Sequence, residues 1–369
     1  MSGGLRLSIV VPAYNVQDFI AQTLDCILPQ MRDGHELVLI DDGSTDATVD
    51  RARAVFAAWP QCLVRVIEQT NAGVADARNN GVAQAQGDYI LFVDSDDLLQ
   101  PGALDGIDAA IASHAPDVIA TDFCIWYPGR TARPLEYHHL SYPQNVLVQG
   151  QEAILSTYFA DRHMYVWCKI IRRDIYLQLG LPLFPSGRLF EDMAVVPRLL
   201  AACRTLVYVP LVLLHYRQHP RSITRVITPR WCTDFVRALA SARPYLEAAG
   251  ASASASVRTE FDAAASLFYL CAIKTSFELP ASTQPDQVRA EVRTIFLASL
   301  FGTVEQTLHQ LETGQIASVS VRKGRRVAHQ IRQALNDSTI FRIRQTVNRA
   351  YKVWQIGRQQ RRQQRSGVS

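Results

Sequence analysis

Asp94, Ser95, Asp96 and Asp97 place three carboxylates within four residues, directly after the apolar run Tyr89 to Val93. Neighbouring like charges raise one another's pKa and disfavour folding unless something positive neutralises them. Hard oxygen ligands at this spacing suit Mg²⁺ or Mn²⁺, ions that commonly bridge to substrate phosphates. One reading is therefore a metal–diphosphate site at Asp94 and Asp96. The other is an acidic turn in which Asp97 caps the following helix. A second pair of acids, Asp41 and Asp42, ends the apolar run Glu36 to Ile40, and a third, Glu191 and Asp192, precedes a helical stretch from Ala194 to Ala202.

The elements that must position these groups are legible as an alternation. Leu7 to Val11, Glu36 to Ile40, Val64 to Ile67 and Tyr89 to Val93 have the length and β-branched character of buried strands. Between them lie helices, the first after Asp18, the second from about Thr48 to Phe56 behind Asp46, and the third from Val74 to Ala85. Such alternation predicts a mainly parallel, doubly wound sheet. Ligands bind at the carboxyl ends of strands in such sheets. Pro12 to Asn15, Asp41–Asp42 and Asp94–Asp96 all fall at those ends, so they are expected along one edge. No GxxxxGK[ST] or GxGxxG loop follows a strand, which argues against a P-loop kinase or a dinucleotide dehydrogenase.

The 369 residues suffice for two or three domains' worth of core, and 48% apolar with 20% charged residues describes a soluble globular chain. Neither a signal peptide nor an apolar run of membrane-spanning length is visible. Seven scattered cysteines without CxxC spacing read as reduced thiols of a cytosolic protein. The net charge of +4 hides an asymmetry. Acids outnumber bases about three to one up to residue 125, whereas residues 322–365 hold about thirteen bases and one acid, Asp337.

Taken together, Pro12-Ala13-Tyr14-Asn15, Asp41-Asp42-Gly43-Ser44-Thr45-Asp46, Asn71-x-Gly73 with Ala77-Arg78-Asn79-x-Gly81, and Gly87-Asp88-Tyr89 through Asp97 occur in the order and spacing of family-2 glycosyltransferases. The resemblance covers residues 7 to about 225 and weakens after 125. It implies a Rossmann-like nucleotide-diphospho-sugar transferase sheet (the A-type glycosyltransferase fold) with a C-terminal helical region. It also implies an inverting enzyme that uses a nucleotide-diphosphate sugar, often a UDP-sugar, and a divalent metal. On this resemblance Pro12, Ala13, Tyr14 and Asn15 line the nucleotide pocket. Asp41 and Asp42 lie beside the base, with Asp42 accepting from the uracil ring. Asn71 and Arg78 sit near the nucleotide, Arg78 offsetting diphosphate charge. Asp94, Ser95 and Asp96 form the DxD element, with Asp96 and Asp94 at the Mn²⁺ or Mg²⁺ ion. For Arg78 a solvated helix-face charge is the other reading.

Pro185 to Met193 resembles the family's Glu-Asp element, which makes Asp192 the general base and Glu191 a supporting or acceptor-binding group. Inverting transfer needs one such base. A glycosidase would flank the bond with two carboxylates. Glu191 and Asp192 also read as an N-terminal helix cap. Leu214 to Thr224 resembles the segment that closes the site, so Arg217 or Arg221 is expected at the diphosphate. Its QxxRW counterpart in processive synthases is absent, which favours transfer of a single sugar. Trp167 stacks on a sugar or belongs to the core, and His215 and His219 read as core or surface histidines.

The expected organisation is a catalytic domain over 1–225 (nucleotide half 1–125, acceptor half 126–225), a helical region over 226–335 and a basic amphipathic tail over 336–369. The helical region suits a homo-oligomer or an acceptor platform. In the tail Ile340, Ile343, Val347, Tyr351 and Trp354 share one helical stripe, with Arg342, Arg349 and Lys352 beside or opposite it and an Arg/Gln-rich run, Arg358 to Arg365, behind. An anionic membrane surface, docking on the core and a nucleic-acid patch are the three readings. The first fits a cytosolic, peripheral enzyme acting on a glycan or lipid-linked acceptor, with no nucleic-acid partner. The rivals to an enzyme of this kind are a non-catalytic nucleotide-sugar or glycan-binding protein and a nucleotidyltransferase. The latter would carry a glycine-rich basic loop where Pro12 to Asn15 stands.

Overall fold

The computed structural model describes residues 5–128, 135–219 and 226–349. Two compact units emerge, one of residues 1–222 with 241–257 and one of 223–240 with 258–369.

The first unit opens with β1 (Leu7–Ala13), α1 (Ile20–Ile27), β2 (His35–Asp41), α2 (Thr48–Ala57), β3 (Leu63–Glu68), α3 (Val74–Gln84) and β4 (Tyr89–Phe92). Every residue of β1, β2 and β4 is buried, as continuous apolar runs between helical layers require. These four strands pair in parallel in the order β3-β2-β1-β4. Ala13 stands level with Asp41 and Val10 with Phe92, so the segments after β1, β2 and β4 emerge along one edge as expected. Gly81 of α3 lets the helix lie on β1, because a Cβ there would meet the Val10 side chain.

β5 (Leu98–Leu99), α4 (Ala103–His114), β6 (Val118–Trp126), β7 (Glu136–His138), β8 (Leu147–Gln149), α5 (Gln151–Asp161), β9 (Lys169–Arg172), α6 (Arg173–Leu179), α7 (Glu191–Ala202) and β10 (Thr205–Arg217) complete the sheet. Here the expected parallel sheet becomes mixed, although β6 and β10 pair in parallel. β9 inserts antiparallel between β4 and β6, and β5 runs antiparallel to β10, so the sheet is mixed in the order β3-β2-β1-β4-β9-β6-β10-β5. β9 is a four-residue strand between β4 and β6 and is followed directly by α6. β10 extends well past the apolar run at Leu206 to Leu214. Its pairing with β6 shifts register between Val209 and Val212 and again before His215. Pro210 sits at the first shift, where a residue without an N–H breaks the ladder. Asp97 caps no helix: β5 follows it directly, and α4 starts after Gly102.

The second unit is helical, with α8 (Pro229–Ala240), most of α10 (Ala255–Ser276), α11 (Pro285–Ser299), α12 (Val304–Thr313), α13 (Val321–Leu335) and α14 (residues 339–349). α9 (Arg243–Ala248) belongs to the first unit. Thr303 and Gln306 form a reciprocal cap on α12. α13 lies so close to α12 that a Cβ on Gly324 would fall on the Leu311 carbonyl oxygen. Gly324→Ala should therefore lower stability by about 1–3 kcal/mol. A thermal melt of the variant that matches the parent would contradict this packing. All seven cysteines are free thiols, and among the described residues no helix is long and apolar enough to cross a membrane. Tyr351, Lys352, Trp354, the run Arg358 to Arg365, and Arg221 lie outside the described residues.

Candidate active site

The edge is built from the turns after β1, β2 and β4. Asn15 takes a left-handed backbone (φ 50°), its Oδ1 accepts from the Thr45 N–H at 2.8 Å, and its own N–H donates to Ser44 Oγ. The turns after β1 and β2 are thus sewn together. Ala13 is buried and Tyr14 is 48% exposed over them. Asp46 accepts from Gln17 N–H and from Thr48. Despite the opposing cost of burial, these bonds hold its carboxyl below its ordinary pKa.

The two acids at the end of β2, Asp41 and Asp42, divide their work differently from the expectation. Asp42 is buried, and both of its oxygens are taken. Oδ1 accepts from Gln69 Nε2 and Ala72 N–H, and Oδ2 from Gly73 N–H and Asn71 Nδ2, at 2.8 to 3.2 Å. A carboxylate offers about four acceptor positions, so Asp42 has none left for a uracil ring and instead anchors the loop ahead of α3. Asn71 serves the same anchor, donating also to the Asp42 carbonyl. Asp41 is the contrasting case: Oδ2 accepts from Ser44 N–H at 3.0 Å, while Oδ1 is buried without a hydrogen-bond partner.

Arg78 is neither a solvated charge nor open to a diphosphate. It is 4% exposed, lies between the rings of Phe92 and Phe184 with its guanidinium carbon 6.0 Å from each, and is shared by two carboxylates. One nitrogen donates to Asp94 Oδ1 at 2.8 Å and another to Glu191 Oε1. Burial alone would depress its pKa, but Asp94, Glu191 and Asp192 outweigh burial and raise it. Its neighbour Asn79 closes the same joint: Oδ1 accepts from Leu183 and Phe184 N–H, and Nδ2 donates to the Phe184 carbonyl. α3 therefore ties the Asp94 turn to the segment leading into α7.

That segment turns at Phe190 in a left-handed conformation (φ 61°) and starts α7 at Glu191. Both acids occupy the first helical turn, where the helix dipole favours anions. Asp192 Oδ1 accepts from Met193 N–H at 2.8 Å. Burial, and then the neighbouring Glu191, nevertheless push the Asp192 carboxyl up to about 7, against the opposing pull of Arg78. A carboxyl held there can take a proton near neutral pH, which suits a general base.

Asp96 and Ser95 are organised from β10. Arg217 is buried, not aimed at a ligand. Its N–H donates to Asp97 Oδ1 (2.7 Å), Nε to the Asp96 carbonyl (2.6 Å) and a terminal nitrogen to Gln22 Oε1 (2.9 Å), with Trp126 and Phe19 under the guanidinium. Thr23 Oγ1 of α1 lies within hydrogen-bond reach of both the Ser95 and Asp97 carbonyls. Asp97 is fully buried, and burial, then Asp96 and Asp94, hold its pKa far above the usual carboxylate range.

One residue read as core or surface belongs to this cluster. His219 Nε2 lies 2.8 Å from Asp96 Oδ2, its ring packs on Phe19, and its Nδ1 is buried without a partner. The spacing of 123 residues hid it, although its place just beyond Arg217 in the closing segment was a usable signal. A carboxylate and an imidazole side by side suit a divalent cation whose remaining positions stay open. Asp94 fits that role less well, because Arg78 holds one of its oxygens. Among the described residues no three His, Cys, Asp or Glu side chains gather to hold a metal ion. Trp167 is buried in an aromatic cluster with Phe123, Tyr165 and Tyr216. His215 is half-buried near Trp126.

The sequence of residues 8–180 matches the family described as Glycosyl transferase family 2. Over 243 residues the chain is 27% identical to the glycosyltransferase GlyA of Streptococcus pneumoniae serotype 4, a match spanning 63% of this chain and 34% of that protein. Over 225 residues it is 29% identical to the uncharacterized glycosyltransferase EpsJ of Bacillus subtilis, spanning 60% and 63%. The chain thus aligns with between a third and two thirds of these relatives. Among solved structures it is similar to residues 1–349 of S. aureus TarS in complex with UDP, with a TM-score of 0.59 at 19% identity over 89% of this chain and 91% of that one. Residues 8–180 thus form a glycosyltransferase family 2 domain, on the A-type fold.

Proposed function

We propose that the chain is an inverting glycosyltransferase that moves one sugar from a nucleotide-diphosphate sugar, a UDP-sugar, to a hydroxyl of a cell-surface glycan or lipid-linked precursor. The observation that carries the reading is Asp192, a single carboxyl held at about 7 and tied through Glu191 and Arg78 to the Asp94 turn. The acceptor oxygen attacks the anomeric carbon, the bond from that carbon to the diphosphate breaks, and Asp192 takes the acceptor's proton. One base and a stabilised leaving group suffice for this chemistry. A binding protein on the same fold has no use for such a base.

The donor's place is the strand edge. The uridine contact moves from Asp42 to Asp41, whose Oδ1 is the unpartnered acceptor, with Ala13 and Tyr14 beside it. Similarity to TarS, solved with UDP, supports uridine as the nucleotide. Asp96 and His219 would hold Mn²⁺ or Mg²⁺; the imidazole favours Mn²⁺ over an all-oxygen Mg²⁺ site. When bound, the ion stabilises charge on the leaving diphosphate. Glu191, whose Oε1 is bonded to Arg78, positions the joint rather than binding acceptor. The acceptors envisaged are capsule, O-antigen or exopolysaccharide intermediates at the cytosolic face of the membrane.

Calorimetric titration with UDP, with and without Mn²⁺, tests the donor and metal assignments. Mn²⁺-dependent binding should weaken about tenfold or more in Asp96→Ala and in His219→Ala, the scale of losing one direct contact to a bound ion or its supporting partner. UDP binding that is indifferent to Mn²⁺ and to both substitutions would remove the metal assignment. No UDP binding by the parent under any condition would remove the uridine assignment.

A further inference from the structure

α13 carries five arginines or lysines and no acid. Its buried side is Gly324, Val327, Ala328, Ile331 and Ala334. The opposite sector presents Arg322, Arg325, Arg326 and His329, all exposed. Three nearby acids are already engaged: Glu312 pairs with Arg332, and Asp286 and Asp337 pair with Arg342. α14 adds a different chemistry. Ile340, Ile343 and Val347 are 69%, 59% and 61% exposed and, at 3.6 residues per turn, share one narrow sector of the helix with Arg344 at its border.

Lys274 of α10 touches α13 and lies within the electrostatic reach of Arg344 on α14. Its ammonium donates to Gln330 Oε1 of α13 at 2.9 Å. Burial, then Arg344 and Arg326, lower its pKa, so cations from three helices share one field. Like charges brought together in this way disfavour the fold until an anion meets them. A polyanion such as a nucleic acid would satisfy the charges but would leave three large aliphatic side chains in water. A bilayer with acidic headgroups satisfies both.

We infer that the α13–α14 face of the helical unit is a docking surface for an anionic lipid bilayer, with Arg322, Arg326 and Arg344 meeting headgroups and Ile340, Ile343 and Val347 entering the acyl boundary. The surface includes α13, whereas the amphipathic stripe read from the sequence lies beyond residue 336.

The test is co-sedimentation of the full chain with vesicles of phosphatidylcholine, with and without phosphatidylglycerol, alongside light scattering for oligomeric state. Binding should require phosphatidylglycerol and fall with added salt. Each of Arg322→Gln, Arg326→Gln and Arg344→Gln should weaken it about fivefold. Ile343→Ser combined with Val347→Ser should weaken it at least as much at unchanged salt dependence. All five positions are exposed, so an unaltered melting temperature is the check on folding. A parent that stays in the supernatant, or that binds phosphatidylcholine equally well, overturns the proposal. So does an oligonucleotide bound in place of vesicles, or an aliphatic double variant that only converts a dimer to a monomer.

Discussion

Asp192→Asn should reduce transfer by about 10²–10⁴-fold, the usual contribution of a positioned general base, while UDP affinity changes little. The amide is nearly the same size and can still accept from Met193 N–H, so the joint at α7 persists. The pH behaviour is the stricter test. With its carboxyl at about 7, the parent should lose kcat/KM about tenfold per pH unit below that value and level off above it. The residual activity of the variant should lack that limb. Stability should move the opposite way. A carboxyl raised from 3.8 to about 7 on folding binds its proton more tightly in the folded chain. Stability contributed by that proton is present at low pH and is lost as pH rises between those values. Asp192→Asn should therefore melt at or above the parent's temperature at pH 8. A variant with parental turnover would remove Asp192 from the chemistry, and one that melts far lower would make it a structural group.

Arg78→Leu is the second large effect, and it reads on the fold. The substitution leaves Glu191 buried and Asp94 partly buried without the cation they share. Removing one member of a buried ion cluster costs about 3–5 kcal/mol. For the unit that holds the site this means a melting temperature lower by several degrees. Loss of transfer should accompany it, because the Asp94 turn and α7 lose their common tie. Adding Glu191→Gln to Arg78→Leu removes one of the stranded charges and should recover part of the melting temperature. No recovery would mean that the aromatic packing of Phe92 and Phe184 on the guanidinium, and not the charge, carries the effect. Activity that survives Arg78→Leu at a temperature where the variant is folded would show that the joint is dispensable.

How far the sequence could be read follows from the range of the interactions. The strands β1, β2 and β4, their buried apolar runs and the acids behind them are local patterns, and the parallel edge they form was legible from those patterns alone. The antiparallel entry of β9 was not, because four residues of strand carry no mark of their direction. Asp41 and Asp42 are adjacent in sequence and indistinguishable by type. Only the loop from Gln69 to Gly73, folding back over one of them, makes Asp42 the saturated anchor. Arg217 was recognised as part of the site, but a guanidinium that holds the backbone of Asp96 and one that meets a diphosphate look the same in sequence. His219 was passed over because its partner is a single carboxylate far away in the chain.

β10 measures length as well as forming sheet. Its two departures from register with β6 lie between Val209 and His215, upstream of both groups that it delivers to the Asp96 turn. In a pleated strand, successive side chains face opposite sides, so adding or removing one residue reverses every side chain downstream. The irregularity at Pro210 thus sets the phase of the strand's end. A chain one residue shorter between Val212 and His215 would keep its pairing with the early part of β6 while turning the Arg217 guanidinium away from the Asp96 carbonyl. Substitutions in this stretch should be tolerated far more readily than changes in its length.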